Sequence, residues 1–152
     1  MCLWIGHGCG LGLCSGWLWK VAGQGYDGSR VVVMATHEIT TDNLASTIET
    51  NPLVIMDFWA GWCGPCRAFA PVFEQASADH EDVFFGKVDV EAQQQIAYDF
   101  GIKNIPTLIL FKEGMPVERI PGAMPAAQFE SLIKALKGLD MSKVRAAHQA
   151  QS

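Results

Sequence analysis

The chain has 152 residues, enough for one domain with a sizeable core. Apolar residues at 49% and charged residues at 18% describe an ordinary globular chain rather than a disordered one. A net charge of −5 argues against nucleic acid as the main partner, and no apolar run is long enough for a membrane-spanning helix.

Residues 1–33 stand apart from the rest. They hold eight of the fifteen glycines, three of the five cysteines and three of the five tryptophans, with Lys20, Asp27 and Arg30 as their only charges. Glycines at 6, 8, 10, 12 and 16 break any helical pattern. The segment lacks the basic start of a signal peptide, and its apolar stretch is interrupted. Cys2, His7, Cys9 and Cys14 are metal-ligating types, but their spacing matches no familiar finger, and no metal is expected. The expectation is a disordered extension, or a false start ahead of Met34. An odd number of cysteines does not suit a disulfide-stapled secreted domain.

Asp42 is the expected cap of a first helix, on which Leu44 and Ile48 share a face. Leu53-Val54-Ile55-Met56-Asp57-Phe58 follows the Asn51-Pro52 turn signal and reads as a buried strand. A helix is expected over Arg67 to Asp79, with Phe69 and Phe73 facing the core and a kink at Pro71. Val83 to Asp89 reads as a second strand, interrupted by Lys87. Ala92 to Phe100 reads as a short helix stopped by Gly101. Thr107 to Phe111 is a third strand, and Glu113-Gly114 turns it into Val117–Ile120. The last helix is expected from Pro125 to Lys137, with Phe129, Leu132, Ile133 and Leu136 on one face and Gly138 as its stop. Residues 139–152 read as a polar, frayed or partly helical tail. His37, His80 and His148 form no constellation and read as surface residues. Strands alternating with helices, then a hairpin, give an α/β sandwich around a mixed sheet.

The informative stretch is Trp59-Ala60-Gly61-Trp62-Cys63-Gly64-Pro65-Cys66. Cys63 falls at a strand-to-helix turn, where the positive helix start favours a thiolate. No second Cys or His pair lies at zinc-ligand spacing downstream, so a redox pair is the better reading than half a metal site. Thiol–disulfide exchange needs an attacking thiolate and a second thiol to release the mixed disulfide. Cys63, at the helix start and nearer solvent, suits the first role; Cys66, one turn inward, suits the second. Pro65 suits an early helical position. Asp57 is a carboxylate in an apolar strand, costly unless it has a partner or a task; on the residues alone a hydrogen-bonded core aspartate is favoured. Pro106 stands directly before a strand, where it cannot donate to a ladder; both a plain strand start and a cis bond fit.

The motifs Asp57-Phe58-Trp59-Ala60, Trp62-Cys63-Gly64-Pro65-Cys66 and Gly101-Ile102-Lys103-Asn104-Ile105-Pro106-Thr107 resemble the thioredoxin family, over most of residues 36–137. The resemblance implies the thioredoxin fold, a central mixed sheet flanked by helices on both faces, within residues 34–138. It implies reduction of protein disulfides through Cys63 and Cys66, with Asp57 as general base for Cys66 and Lys87 as its modulator. It makes the Ile105-Pro106 bond cis and beside the cysteines, with the Ile105 backbone pairing an extended substrate segment. Trp62, Gly64, Pro65, Gly122 and Ala123 complete the substrate rim. The implied partners are disulfide-containing proteins and a thioredoxin reductase fed indirectly by NADPH. No cofactor is implied, and the expectation is a cytoplasmic monomer. Gly61 departs from the pattern, since an acidic residue often stands there. Two rivals are an exported thiol oxidase or isomerase, which usually has histidine inside the Cys-x-x-Cys, and a redox-independent binding subunit.

Overall fold

The computed structural model describes residues 35–150. Residues 1–33, with Cys2, His7, Cys9 and Cys14, lie outside the described residues, as does the side chain of His148.

The sheet is built on β2 (Leu53–Trp59), in which Val54 to Phe58 are five consecutive buried residues. A strand buried on both faces must be covered on both, and its sequence is accordingly apolar but for Asp57. It pairs in parallel with β3 (Phe84–Asp89) and antiparallel with β4 (Thr107–Lys112). β1 (Thr36–Glu38) adds in parallel to the far side of β3, and β5 (Met115–Pro121) adds antiparallel to β4. The order is β1-β3-β2-β4-β5, a mixed sheet of five strands.

Alternation along the strands sorts the core into two layers. Ile55, Leu108, Leu110 and Phe85 face α2 (Gly64–Asp79) and α4 (Ala126–Gly138), meeting Phe69, Phe73, Phe129 and Ile133. Phe69 and Phe129 touch edge to face at 5.3 Å. Val54, Met56, Phe58 and Ile109 face the other way, toward Leu44 and Ile48 of α1 (Leu44–Thr50) and Ile96 of α3 (Gln94–Asp99). Helices therefore cover both faces, as the α/β expectation requires.

Several local expectations change. Asp42 does not cap α1: Asn43 holds that position and its side chain caps nothing, because Asn43 Oδ1 accepts from the Thr40 N–H at 2.8 Å and its Nδ2 donates to the Glu38 carbonyl. α2 starts three residues earlier than expected, at Gly64, and contains Pro71 within its span. Gly138 is the last residue of α4 rather than a stop beyond it. The stop is supplied by Lys112, whose ammonium donates to the carbonyls of Leu136, Lys137 and Leu139. The tail takes the partly helical of its two expected forms: α5 (Met141–Ala150) buries Met141 and pairs Arg145 with Glu113. The turn between β4 and β5 has positive φ at both Glu113 and Gly114, as a tight primed hairpin turn requires.

Candidate active site

The carboxyl end of β2, the amino end of β4 and the start of α2 meet at one edge of the sheet. Phe58 pairs with Thr107, so the loop ahead of β4 lies beside the chain leaving β2. Ligand sites of α/β sheets form at such carboxyl ends.

Cys63 is the N-cap residue of α2, with Pro65 in the first turn. Cys63 and Cys66 are joined in a disulfide, with Sγ atoms 2.17 Å apart. The Cys66 N–H donates to Cys63 Sγ at 3.2 Å. That bond and the helix dipole act on one sulfur and favour its thiolate when the pair is reduced. Both cysteines are buried, Cys63 at 4% exposure and Cys66 at 2%. Exposure thus hardly separates them; position on the helix does. The expectation that Cys63 lies nearer solvent holds only by this small margin.

Ala60, Cys63 and Cys66 form a small apolar cluster, against which Trp59, Val90 and Ile105 pack. The Ile105-Pro106 bond is cis, Pro106 is buried, and its carbonyl accepts from the Gly122 N–H at 2.8 Å. Gly122 has φ +93, a conformation that favours glycine. Ile105 is thus brought to the cysteines, with Pro106 next in the chain and Gly122 bonded to Pro106. Trp62 is 67% exposed, and Gly64, Pro65 and Ala123 are exposed; Trp62 directly precedes Cys63 in the chain, and Ala123 follows Gly122.

Asp57 is 1% exposed and lies two residues beyond Ile55, on the face that α2 covers. Its Oδ1 finds no hydrogen-bond donor among the described residues. Burial pushes its carboxyl from 3.8 up to about 7, and the charge of Lys87 opposes part of that rise. Asp57 and Lys87 are direct partners across β2 and β3. Asp57 is therefore no hydrogen-bonded core residue on its Oδ1 side, as the residues alone had favoured. The ammonium of Lys87 stands 3.7 Å from Glu74 Oε1 and 5.0 Å from the centre of the Trp59 ring. Glu74 was missed from the sequence. The available signal was its place on α2, eight residues after Cys66 and so near the same face.

His80 is not a plain surface residue. Its Nε2 is 2.9 Å from Glu130, its Nδ1 is 3.0 Å from Lys137 Nζ, and Lys137 also pairs with Asp82 at 2.6 Å. This group ties the end of α2 to α4. His37 is exposed and stacks on Phe84. Among the described residues no group of His, Cys, Asp and Glu is arranged to hold a metal, and no helix is long and apolar enough to cross a membrane.

Comparison with known proteins agrees with this geometry. The thioredoxin family model matches residues 35–135. A relative in Streptomyces coelicolor is 46% identical over 121 residues, spanning 78% of this chain and 90% of that protein. The thioredoxin of Alicyclobacillus acidocaldarius is 44% identical over 98 residues, 64% of this chain and 93% of its own. Among solved structures, the thioredoxin of Malassezia sympodialis superposes with a TM-score of 0.61 at 35% identity, covering 67% of this chain and 94% of that one. A redox-active Cys63–Cys66 pair at the cap of α2, on this sheet and with this sequence likeness, places the chain in the thioredoxin family of thiol–disulfide oxidoreductases, which work by dithiol–disulfide exchange.

Proposed function

We propose that Cys63 is the attacking thiol and Cys66 the resolving thiol in the reduction of protein disulfides. The observation that carries this order is the hydrogen bond from the Cys66 N–H to Cys63 Sγ at the start of α2. The Cys63 thiolate attacks one sulfur of a substrate disulfide. The substrate S–S bond breaks, and the other substrate sulfur leaves as a thiolate. Asp57 takes the proton of Cys66, and the Cys66 thiolate attacks Cys63 Sγ. The second substrate thiolate leaves, and the Cys63–Cys66 disulfide remains. Two electrons have then passed to the substrate, and a thioredoxin reductase, drawing indirectly on NADPH, returns them.

A carboxyl that titrates near neutrality suits Asp57 to this task, since a base works best with a pKa close to the working pH. Lys87 modulates it. Ile105 offers its backbone to an extended substrate segment, a form of strand addition. Trp62, Gly64, Pro65, Pro106, Gly122 and Ala123 line the approach. The odd cysteine count supports a reducing compartment, the cytoplasm, and the acidic net charge supports protein rather than nucleic-acid partners. We take the working form to be a monomer, which sedimentation checks.

Trapping tests the order of attack. Cys66→Ser is expected to accumulate a mixed disulfide with an oxidised protein substrate, whereas Cys63→Ser is expected to accumulate none. Equal trapping by both proteins on a non-reducing gel overturns the assignment.

A further inference from the structure

Lys87 is held from two sides. Glu74 Oε1 is 3.7 Å from its ammonium, and the Trp59 ring lies 5.0 Å away. The ion pair is half-buried, so solvent screens it less than a surface pair. Glu74 sits on α2, the helix that begins with the cysteines, and Lys87 sits on β3 directly across from Asp57. One helix thus carries both the resolving thiol and the carboxylate that anchors the lysine. Among the described residues, the ionisable groups brought to the side that Asp57 faces include Lys87 of β3, its register partner, and Glu74 of α2, which pairs with Lys87; Cys66, also of α2, becomes ionisable once the disulfide is open. β4 contributes Leu108 and α4 contributes Phe129, both apolar.

A cation with an anion close by projects a weaker field on a third group than a bare cation does. We propose that Glu74 is a positioning residue for the exchange reaction: by pairing with Lys87 it withholds part of that charge from Asp57, so that Asp57 binds its proton tightly enough to receive one from Cys66. This rests on the reading of Asp57 as the base. The direction follows from charge alone. Without Glu74 the lysine acts on Asp57 unopposed, favours the carboxylate, and lowers the pH at which Asp57 titrates.

The decisive measurement needs no turnover. In the oxidised full-length chain, carbon-13 NMR follows the Asp57 carboxyl carbon through its titration in the native protein, Glu74→Gln, Lys87→Gln and the double variant. Glu74→Gln is expected to move the midpoint down by about half a pH unit or more. In the Lys87→Gln background the same change is expected to move it by less than about a third of that, because its intermediary is gone. Glu74→Asp keeps the charge and is expected to restore most of the native midpoint. An unmoved midpoint in Glu74→Gln overturns the proposal, and so does an equal shift in both backgrounds, which would make Glu74 a direct neighbour of Asp57. The pH–rate profile of insulin reduction by Asp57→Asn is a separate arm. A native profile there sinks the base reading, while the titration still judges the coupling of Glu74 to Asp57.

Discussion

Asp57 holds a proton that the unfolded chain gives up far more readily. Burial raises its folded-state titration from 3.8 to about 7. The native state therefore binds this proton more tightly than the unfolded state does. The stability this supplies is fully present below pH 3.8 and is lost as pH rises toward about 7. Over that interval the loss is on the order of 4 kcal/mol, at about 1.4 kcal/mol per pH unit. Asp57→Asn removes the ionisation and is expected to be the more stable protein at pH 8 by a few kcal/mol, with little advantage near pH 4, in urea titrations. Insulin reduction is expected to slow on the order of 100-fold as Cys66 loses its base. A mutant equally fast, or less stable at pH 8, reduces Asp57 to a core residue. This carboxylate was legible in the sequence because it breaks an apolar run. Glu74 was not, because a glutamate on a helix is ordinarily a solvated side chain, and only the packing of α2 on β3 brings it to Lys87.

Gly86 shows how closely the elements approach. A Cβ built there would stand 2.7 Å from Ile39 Cγ1 and 3.1 Å from Ile39 Cδ1. Ile39 is fully buried just beyond β1, and Met56 of β2 lies 3.6 Å away on the same face. Neither can swing into solvent. Gly86→Ala is expected to overpack this layer and cost about 1–3 kcal/mol, read as a lower midpoint in denaturant at an unchanged slope. An unchanged midpoint would show that Ile39 repacks freely. β1 explains why such an element escapes a sequence reading. Three residues, Thr-His-Glu, carry no period of two and no apolar run, and only the ladder to β3 makes them a strand. The longer elements announced themselves: the apolar run of β2, and the spacing of Phe129, Ile133 and Leu136 on α4. Helix ends fared worse. The end of α4 is set by Lys112, some 25 residues away, and no local signal carries that.

At the scale of the molecule, the sheet order and both helical layers follow from residues 36–138, and the family model matches 35–135. A chain beginning at Met34 is expected to keep full insulin-reducing activity. Its Tm is expected to stay within about 4 °C of the full chain, on the order of 1 kcal/mol for a domain of this size. A larger drop would show that the glycine-rich segment supports the domain. The α/β class was legible because alternating apolar strands and amphipathic helices leave few other arrangements. α5 was legible only as one of two alternatives for the tail, since Met141 is its one buried residue among those described and a single apolar contact gives no period.

The two outer strands of the sheet have a consequence of their own. Among the described residues one margin is β1, only three residues long, and the other is β5, which carries Pro116 and Pro121 and exposes Glu118 and Arg119. Proline has no N–H to donate, and charges at a margin repel a second ladder. The pairing of β4 with β5 also slips at Leu110 and Phe111, which breaks the regularity of that margin. An incoming chain thus finds little length at β1, and at β5 a margin interrupted by two prolines and flanked by charges. Both margins of the sheet are in this way guarded against growth by a further strand.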